Sequence, residues 1–276
     1  MEIFVLKCGD TAAVVSGRID RGEFIMSASL ANKNNALNSS SDYSGIADHS
    51  GPIHSFLEYS TSLVFPVLFA LNLHWAGSRL YELDLLWLIA LAIPLGILGG
   101  DLVSGIVHWA ADTYCSVDTP VVGPSLVKPF RMHHVYPRDI CTHNLVETVG
   151  NVCILAFPLL SVCLYLQWLL PESGLLAFAV IVVALTSAAT VATNQFHKWA
   201  HQENVSRLAR CLQRMRLVLE PTHHKLHHTE PFNIHYCITN GWLNPLLNKI
   251  KFFRRLEATL AFIGIKTAAS NANAQR

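Results

Sequence analysis

Charge is scarce in this chain. Only 14% of its 276 residues are Asp, Glu, Lys or Arg, against about 25% in an ordinary soluble domain. The 20 Lys+Arg and 19 Asp+Glu nearly cancel to a formal net charge of +1, so bulk electrostatics exclude nucleic-acid binding. No C-x-x-C pair occurs among the seven cysteines. That excludes a zinc ribbon and a disulfide framework and leaves reduced, mostly structural thiols. The apolar start is broken by Lys7, Cys8, Gly9 and Asp10 before any sustained apolar region or small-residue cleavage site, so no cleaved signal peptide is expected.

What is present is apolar: 51% of side chains, with a mean hydropathy of +0.34, the composition of a membrane protein. Residues 59–78 carry no formal charge, 85–111 only Asp101, and 148–171 and 173–196 none. At 1.5 Å per residue, each can cross a hydrocarbon core of about 30 Å. The predicted fold class is therefore an all-α integral membrane protein, with four transmembrane helices in two hairpins turned at residues 79–82 and 171–173. Pro66, Pro94 and Pro158 fall inside spans, where neighbouring helices tolerate kinks. Residues 1–55, polar through Asn32 to Asn35 and Ser39 to Ser41, predict a disordered cytosolic tail. Residues 56–257 form the membrane domain, and 258–276 a C-terminal tail.

Basic residues orient the spans. Four of the 20 Lys+Arg precede the first span, three (Lys128, Arg131, Arg138) lie in the central loop and twelve follow the fourth span, with Arg79 alone on the other side. The positive-inside rule then puts both termini and the central loop in the cytosol.

Histidine dominates that face. The stretch from Thr222 to His228 holds His223, His224, His227 and His228, and neutral imidazole is the commonest metal ligand. The second span ends in Asp101, Ser104, His108 and Asp112, and the fourth in Thr190, Thr193, Asn194, His197 and His201. At 3.6 residues per turn each set forms one stripe. Ionisable groups inside spans are expensive and usually functional. The central loop adds His133, His134 and His143. Eleven of the 14 histidines lie on this face from the second span onward, more than one zinc ion needs. Two metals fit better. Glutamate is absent from these helix faces, which excludes a carboxylate-type di-iron bundle, whereas an all-nitrogen site near a membrane surface suits oxygen-activating iron acting on a lipid.

Five segments, in order, carry a resemblance: His108-Trp109-x-x-Asp112, Pro129-Phe130-Arg131-x-His133-His134, Asn194-Gln195-x-His197-Lys198-Trp199-x-His201, His223-His224-x-x-His227-His228, and Cys237-Ile238-Thr239-x-Gly241-Trp242-Leu243-Asn244. Over residues 56–257 the chain resembles the Kua family of plasmanylethanolamine desaturases, which includes the bacterial CarF proteins and is related to a plant plastid palmitate desaturase. The resemblance implies an oxygen-dependent membrane enzyme with two iron ions. It would remove two hydrogens from the sn-1 O-alkyl chain of an ether phospholipid to give a plasmalogen, with electrons from NAD(P)H through a reductase and cytochrome b5. It further implies an endoplasmic reticulum location and eight iron-binding histidines: His108, His133, His134, His197, His201, His224, His227 and His228. His143 and His223 are expected to support those ligands. Asp112, one turn from His108, is expected to hold a ring N–H, with direct metal ligation as the alternative, and Asn194 to orient a ligand or a bound water. Arg207, Arg210 and Arg214 are candidates for contact with a lipid headgroup.

Two other readings remain. The same centre on an acyl chain would make an acyl-lipid desaturase or hydroxylase. A membrane zinc-binding or transport protein is the other, but a transporter places its ligands near the bilayer midplane rather than at one face.

Overall fold

The computed structural model describes residues 2–8, 11–17, 19–20, 23–24, 27–28, 51–114, 119, 123–265 and 267. The chain divides into two compact units, 1–48 and 49–276. In the first, β1 (Glu2–Cys8) and β2 (Thr11–Gly17) run antiparallel with Val5 opposite Val14, as β-branched residues favour. β5 (Ser27–Ala28) adds to β2, and β3 (Ile19–Asp20) pairs with β4 (Glu23–Phe24). At these strands the expected disordered tail gives way to paired backbone. For the rest of residues 1–50 that expectation lies outside the described residues.

The second unit is helical. Its four long helices are α1 (Pro52–Glu82), α2 (Leu88–Thr113), α4 (Leu145–Leu169) and α5 (Gly174–His201), and all four are long and apolar enough to cross a membrane. Even the 25-residue α4 exceeds a core of roughly 30 Å. Leu63, Leu155 and Leu175 point outward on these helices, a surface suited to lipid. Between the helix pairs lie α3 (Lys128–Val135) and a short 3₁₀ turn, Asp139–Cys141. After α5 come α6 (Arg207–Arg214), α7 (Pro221–His227), α8 (Asn244–Lys249) and α9 (Phe252–Phe262).

Three boundaries differ from the sequence reading. Residues 79–82 close α1 instead of forming the turn: Arg79 pairs with Glu82 at 2.8 Å, continuing the helix, and with Glu172 in the α4–α5 connection. The chain reverses just beyond, where Asp84 takes a φ of 56°. α1 also begins at Pro52, favoured at a first helical position, ahead of residue 56. The expected C-terminal tail from residue 258 is helical through Phe262, and residues 268–276 lie outside the described residues.

α5 is the central helix and packs against α1, α2 and α4. Its closest neighbour is α2, where Gly96 and Gly100 take the place of side chains. A Cβ on Gly96 would lie 2.3 Å from Leu185 Cβ, and one on Gly100 2.4 Å from Ala189 Cβ. Small residues four apart let two membrane helices approach this closely. α1 and α4 are tied by buried amides: Asn72 donates to the Leu160 carbonyl at 3.1 Å, and Gln167 donates to Asn72 Oδ1 at 3.1 Å. A capping box starts α4, with the Asn144 side chain accepting from the Glu147 N–H and Glu147 accepting from the Asn144 N–H. The outcome is a four-helix bundle whose α2 and α5 C-termini lie together.

Candidate metal centre

Four elements converge at that end, and each contributes by its own periodicity. His108 and Asp112 are one turn apart on α2, as are His197 and His201 on α5. Adjacent residues on a helix diverge by about 100°, so His133 and His134 of α3 point into different groups. His224, His227 and His228 share one face of α7, with His228 as its C-terminal boundary.

The result is two ligand groups. One comprises His133, His197, His201, His224 and His228; the other comprises His108, Asp112, His134 and His227, and within each the ligand atoms all lie within 4.8 Å of one another. α5 serves only the first group and α2 only the second, whereas α3 and α7 supply both. The two groups therefore share walls: the His108 and His197 rings are 6.4 Å apart, and those of His227 and His228 5.7 Å.

The donors fit metal ions. The Nε2 atoms of His197, His201 and His224 form a closed triangle with sides of 2.9, 2.8 and 3.3 Å. His228 Nε2 extends it, 3.0 Å from His224 and 3.1 Å from His133. Each neutral ring nitrogen has either one proton or one lone pair, so a closed triangle cannot satisfy all its members by hydrogen bonding. A cation at its centre would use every lone pair. Ligands at 2.0–2.1 Å from a metal and at right angles stand roughly 3 Å apart, the spacing seen here. In the second group, His108 Nε2, His227 Nε2 and Asp112 Oδ1 are buried without a hydrogen-bond partner.

Electrostatics keep the loop and α7 histidines ready to bind. Burial, reinforced by the neighbouring rings, holds His133 and His224 well below the ordinary histidine range. The same burial pushes His227 down to about 3 and His228 to about 2. These rings are neutral at physiological pH, and neutral nitrogen is the form that binds metal.

Carbonyls fix the ring orientation in the second group. The Tyr236 carbonyl lies 3.2 Å from His108 Nδ1, and the Ile234 carbonyl 2.8 Å from His227 Nδ1. An Nδ1–H held this way directs the Nε2 lone pair inward. Aromatic rings close the surroundings: Phe130 stands 4.9 Å from His108, and Phe232 4.9 Å from His134.

All eight histidines named from the resemblance fall in the two groups. Asp112 is placed as the alternative in the sequence reading, direct ligation, would require. Its Oδ2 is 3.2 Å from His134 Nε2, 3.5 Å from His108 Nε2 and 3.7 Å from His227 Nε2, which places it among the ligand atoms. The other three support residues are placed elsewhere. Asn194 donates to the Thr148 carbonyl at 3.0 Å and so ties α5 to α4 rather than orienting a ligand. The His143 ring is half-exposed, 3.9 Å from Asp139, and joins neither group, while its carbonyl accepts from Lys198. His223 sits at the edge of the α7 face and turns to Asn244 and His235, at 2.9 and 3.0 Å. Arg207, Arg210 and Arg214 are exposed on α6. Arg210 and Arg214 line a cleft with Arg216, Glu203 and Glu220, residues that closely follow His201 or precede His223 in the chain.

Sequence reasoning missed the backbone carbonyls of Ile234 and Tyr236, which no side-chain pattern reports. It set Asp101 in the same stripe as His108 and read both as costly, functional groups aimed at the site, whereas Asp101 belongs to neither ligand group. The structure shows its use: Asp101, fully buried, accepts from the backbone N–H groups of Asn240 and Gly241 at Oδ1 and of Leu243 at Oδ2, at 3.1, 2.9 and 3.0 Å.

Comparison with known proteins gives the same family. Over 181 residues the chain is 42% identical to a plasmanylethanolamine desaturase of Myxococcus xanthus, covering 64% of this chain and 62% of that protein. It is 40% identical over 174 residues to plasmanylethanolamine desaturase 1 of Mus musculus, covering 62% and 64%. A chloroplastic fatty acid desaturase 4-like 1 of Arabidopsis thaliana is 33% identical over 181 residues, covering 64% and 58%. The matched region is thus less than two thirds of each relative's length. No solved structure matches the chain. The model of the lipid desaturase domain matches residues 97–270, from within α2 to beyond α9 and so across every ligand of both groups; the chain belongs to the lipid desaturase family.

Proposed function

We propose that this chain is a plasmanylethanolamine desaturase. It introduces the double bond between the first two carbons of the sn-1 O-alkyl chain of an ether phospholipid and yields the vinyl ether of a plasmalogen. The observation that carries the reading is the pair of adjoining ligand groups, one of five imidazoles and one of three imidazoles with Asp112. They lie at the ends of helices suited to cross a membrane. The carbons to be oxidised adjoin the glycerol backbone, at the headgroup boundary rather than the bilayer centre, and helix ends are at that depth. Identity of 42% and 40% to two desaturases of this name, against 33% to the chloroplast protein, favours an ether over an acyl substrate.

Eight histidines and Asp112 would hold two iron ions, which when bound supply the oxygen activation needed to break an unactivated C–H bond. Dioxygen takes two hydrogens from the alkyl chain, with two electrons and two protons from outside, and leaves as two waters. The electrons come from NAD(P)H through cytochrome b5 and its reductase. The protein's own residues orient and shield. The Ile234 and Tyr236 carbonyls set two ligand rings, and Phe130, Phe232 and Tyr236 keep water from the reacting carbons. Arg210 and Arg214, with Arg207 beside them, attract the lipid phosphate. The chain is a multi-pass protein of the endoplasmic reticulum membrane with both termini in the cytosol.

The test is lipid analysis of plasmalogen-deficient cells supplied with an alkylglycerol and expressing the chain or its His197→Ala variant, with iron and zinc counted on the purified proteins. Acid-labile vinyl ethers formed by the parent alone, with iron bound, are expected. Unsaturated or hydroxylated acyl chains would move the reading to an acyl-lipid enzyme, and zinc without any lipid product to a membrane zinc-binding protein.

A further inference from the structure

The segment from Ile234 to Asn244 crosses the C-terminal half of α2 as a strap, and its fastening is polar and buried. Besides the three N–H groups that converge on Asp101, the Ile238 N–H donates to Ser104 Oγ at 3.0 Å, and the Ser104 hydroxyl donates to the Asp101 carbonyl at 2.7 Å. Gly105 admits the strap at its tightest point, since a Cβ there would lie 2.5 Å from Cys237 Sγ. Asn244 closes the strap on itself, exchanging hydrogen bonds with the Cys237 N–H and carbonyl at 2.9 and 2.8 Å. A carboxyl group inside an apolar helix is expensive, and this one is met by three N–H groups of the strap.

The strap reaches the metal groups unequally. Its carbonyls at Ile234 and Tyr236 hold Nδ1 of His227 and His108, two of the three histidines in the Asp112 group. Among the described residues, no strap carbonyl bonds a histidine of the other group.

We infer that Asp101 is a positioning residue for one metal only: it fastens the 234–244 strap to α2, and the strap in turn aims His108 and His227 at the ion held with Asp112 and His134. This rests on the two-metal reading above. In Asp101→Asn, Oδ1 still accepts from Asn240 and Gly241, but the new amide N–H₂ faces the Leu243 N–H, donor against donor. The strap loosens at that end and the carbonyls lose their register on the two rings. Residues that orient a metal-binding histidine typically change metal affinity by about 10–100-fold when removed.

The experiment uses the full-length chain purified in detergent, with Asp101→Asn, the milder Ser104→Ala and His197→Ala alongside. Titration with ferrous iron under argon gives the number and affinity of bound ions, and the Mössbauer spectrum of each loaded protein reports which environment is filled. The parent is expected to take two ions. Asp101→Asn should retain one at parental affinity and bind the other about 10–100-fold more weakly, with the all-imidazole signal surviving. Ser104→Ala should show the same selectivity to a smaller degree. His197→Ala should lose the opposite signal. Hydrogen exchange should rise across residues 234–243 in the Asp101 and Ser104 variants and stay parental across α1. Equal weakening of both ions in Ser104→Ala, or two parental signals and affinities in Asp101→Asn, would overturn the inference. A parent that binds two ions selectively through the strap but makes no vinyl ether would sink the proposed reaction and leave the strap standing.

Discussion

His108 Nε2 and Asp112 Oδ2 lie 3.5 Å apart, one turn from each other at the end of α2. The same carboxylate oxygen reaches His134 of α3 and His227 of α7, so a single residue joins three elements that are far apart in sequence. Asp112 is the one anionic donor in either group. Replacing it by Ala should lower vinyl-ether formation by at least about 100-fold while membrane expression holds. Asp112→Asn should recover little, because an amide binds a cation without neutralising it. Product analysis beside an immunoblot of the membrane fraction reads both.

His197 contributes to the triangle with His201 and His224 and is buried. His197→Ala should abolish turnover and remove one of two bound ions. His74 is exposed, at the opposite end of α1 from Pro52, and His74→Ala should keep activity within about twofold, as surface changes do. Iron counting with lipid product as a second readout separates the two outcomes.

The clustering of the histidines was legible because helical spacing is a local property. His197 and His201 face one way whatever the rest of the chain does, and so do His224, His227 and His228. Asp112 was harder, since its place among the ligands depends on where α3 and α7 arrive. Asp101 could be marked as costly from sequence, but its partners are backbone N–H groups some 140 positions onward, and a backbone donor has no residue type to recognise. The span count followed from length and apolarity. The neighbours did not: Gly96 and Gly100 read as neutral small residues until Leu185 and Ala189 are placed beside them. Asn194 shows the opposite failure, a polar group in the right stripe whose hydrogen bond goes to Thr148 instead.

The α2–α5 contact should be intolerant of bulk. A leucine at position 100 would bring its first carbon to 2.4 Å from Ala189 Cβ and 3.3 Å from the Thr186 carbonyl oxygen, so the helices must separate. Overpacking of this kind costs about 1–3 kcal/mol, and both ligand pairs ride on these helices. Gly100→Leu is expected to lower the thermal midpoint in detergent and to weaken metal binding in both groups. Gly77 of α1, with open space where a Cβ would sit, provides the contrast. Gly77→Ala should raise stability by about 0.5–1 kcal/mol through helix propensity.

Acid should unfold the metal-free protein through its buried histidines. Burial lowers His133 and His224 below the ordinary range, His227 to about 3 and His228 to about 2, whereas the unfolded chain titrates near 6.5. Above that value neither state binds a proton at these rings and their contribution is level. As pH falls below it, the unfolded chain takes up protons that the folded chain refuses, and stability declines until the folded values are reached. Each such ring contributes at most about 1.4 kcal/mol per pH unit within that window. A thermal midpoint that drops steadily from pH 7 to pH 5 in the metal-free protein is the expected outcome. With metal bound the drop should be steeper, because protons then compete for the ligand lone pairs as well. A flat midpoint over the same range would mean that the rings are charged, or open to water, in the folded state.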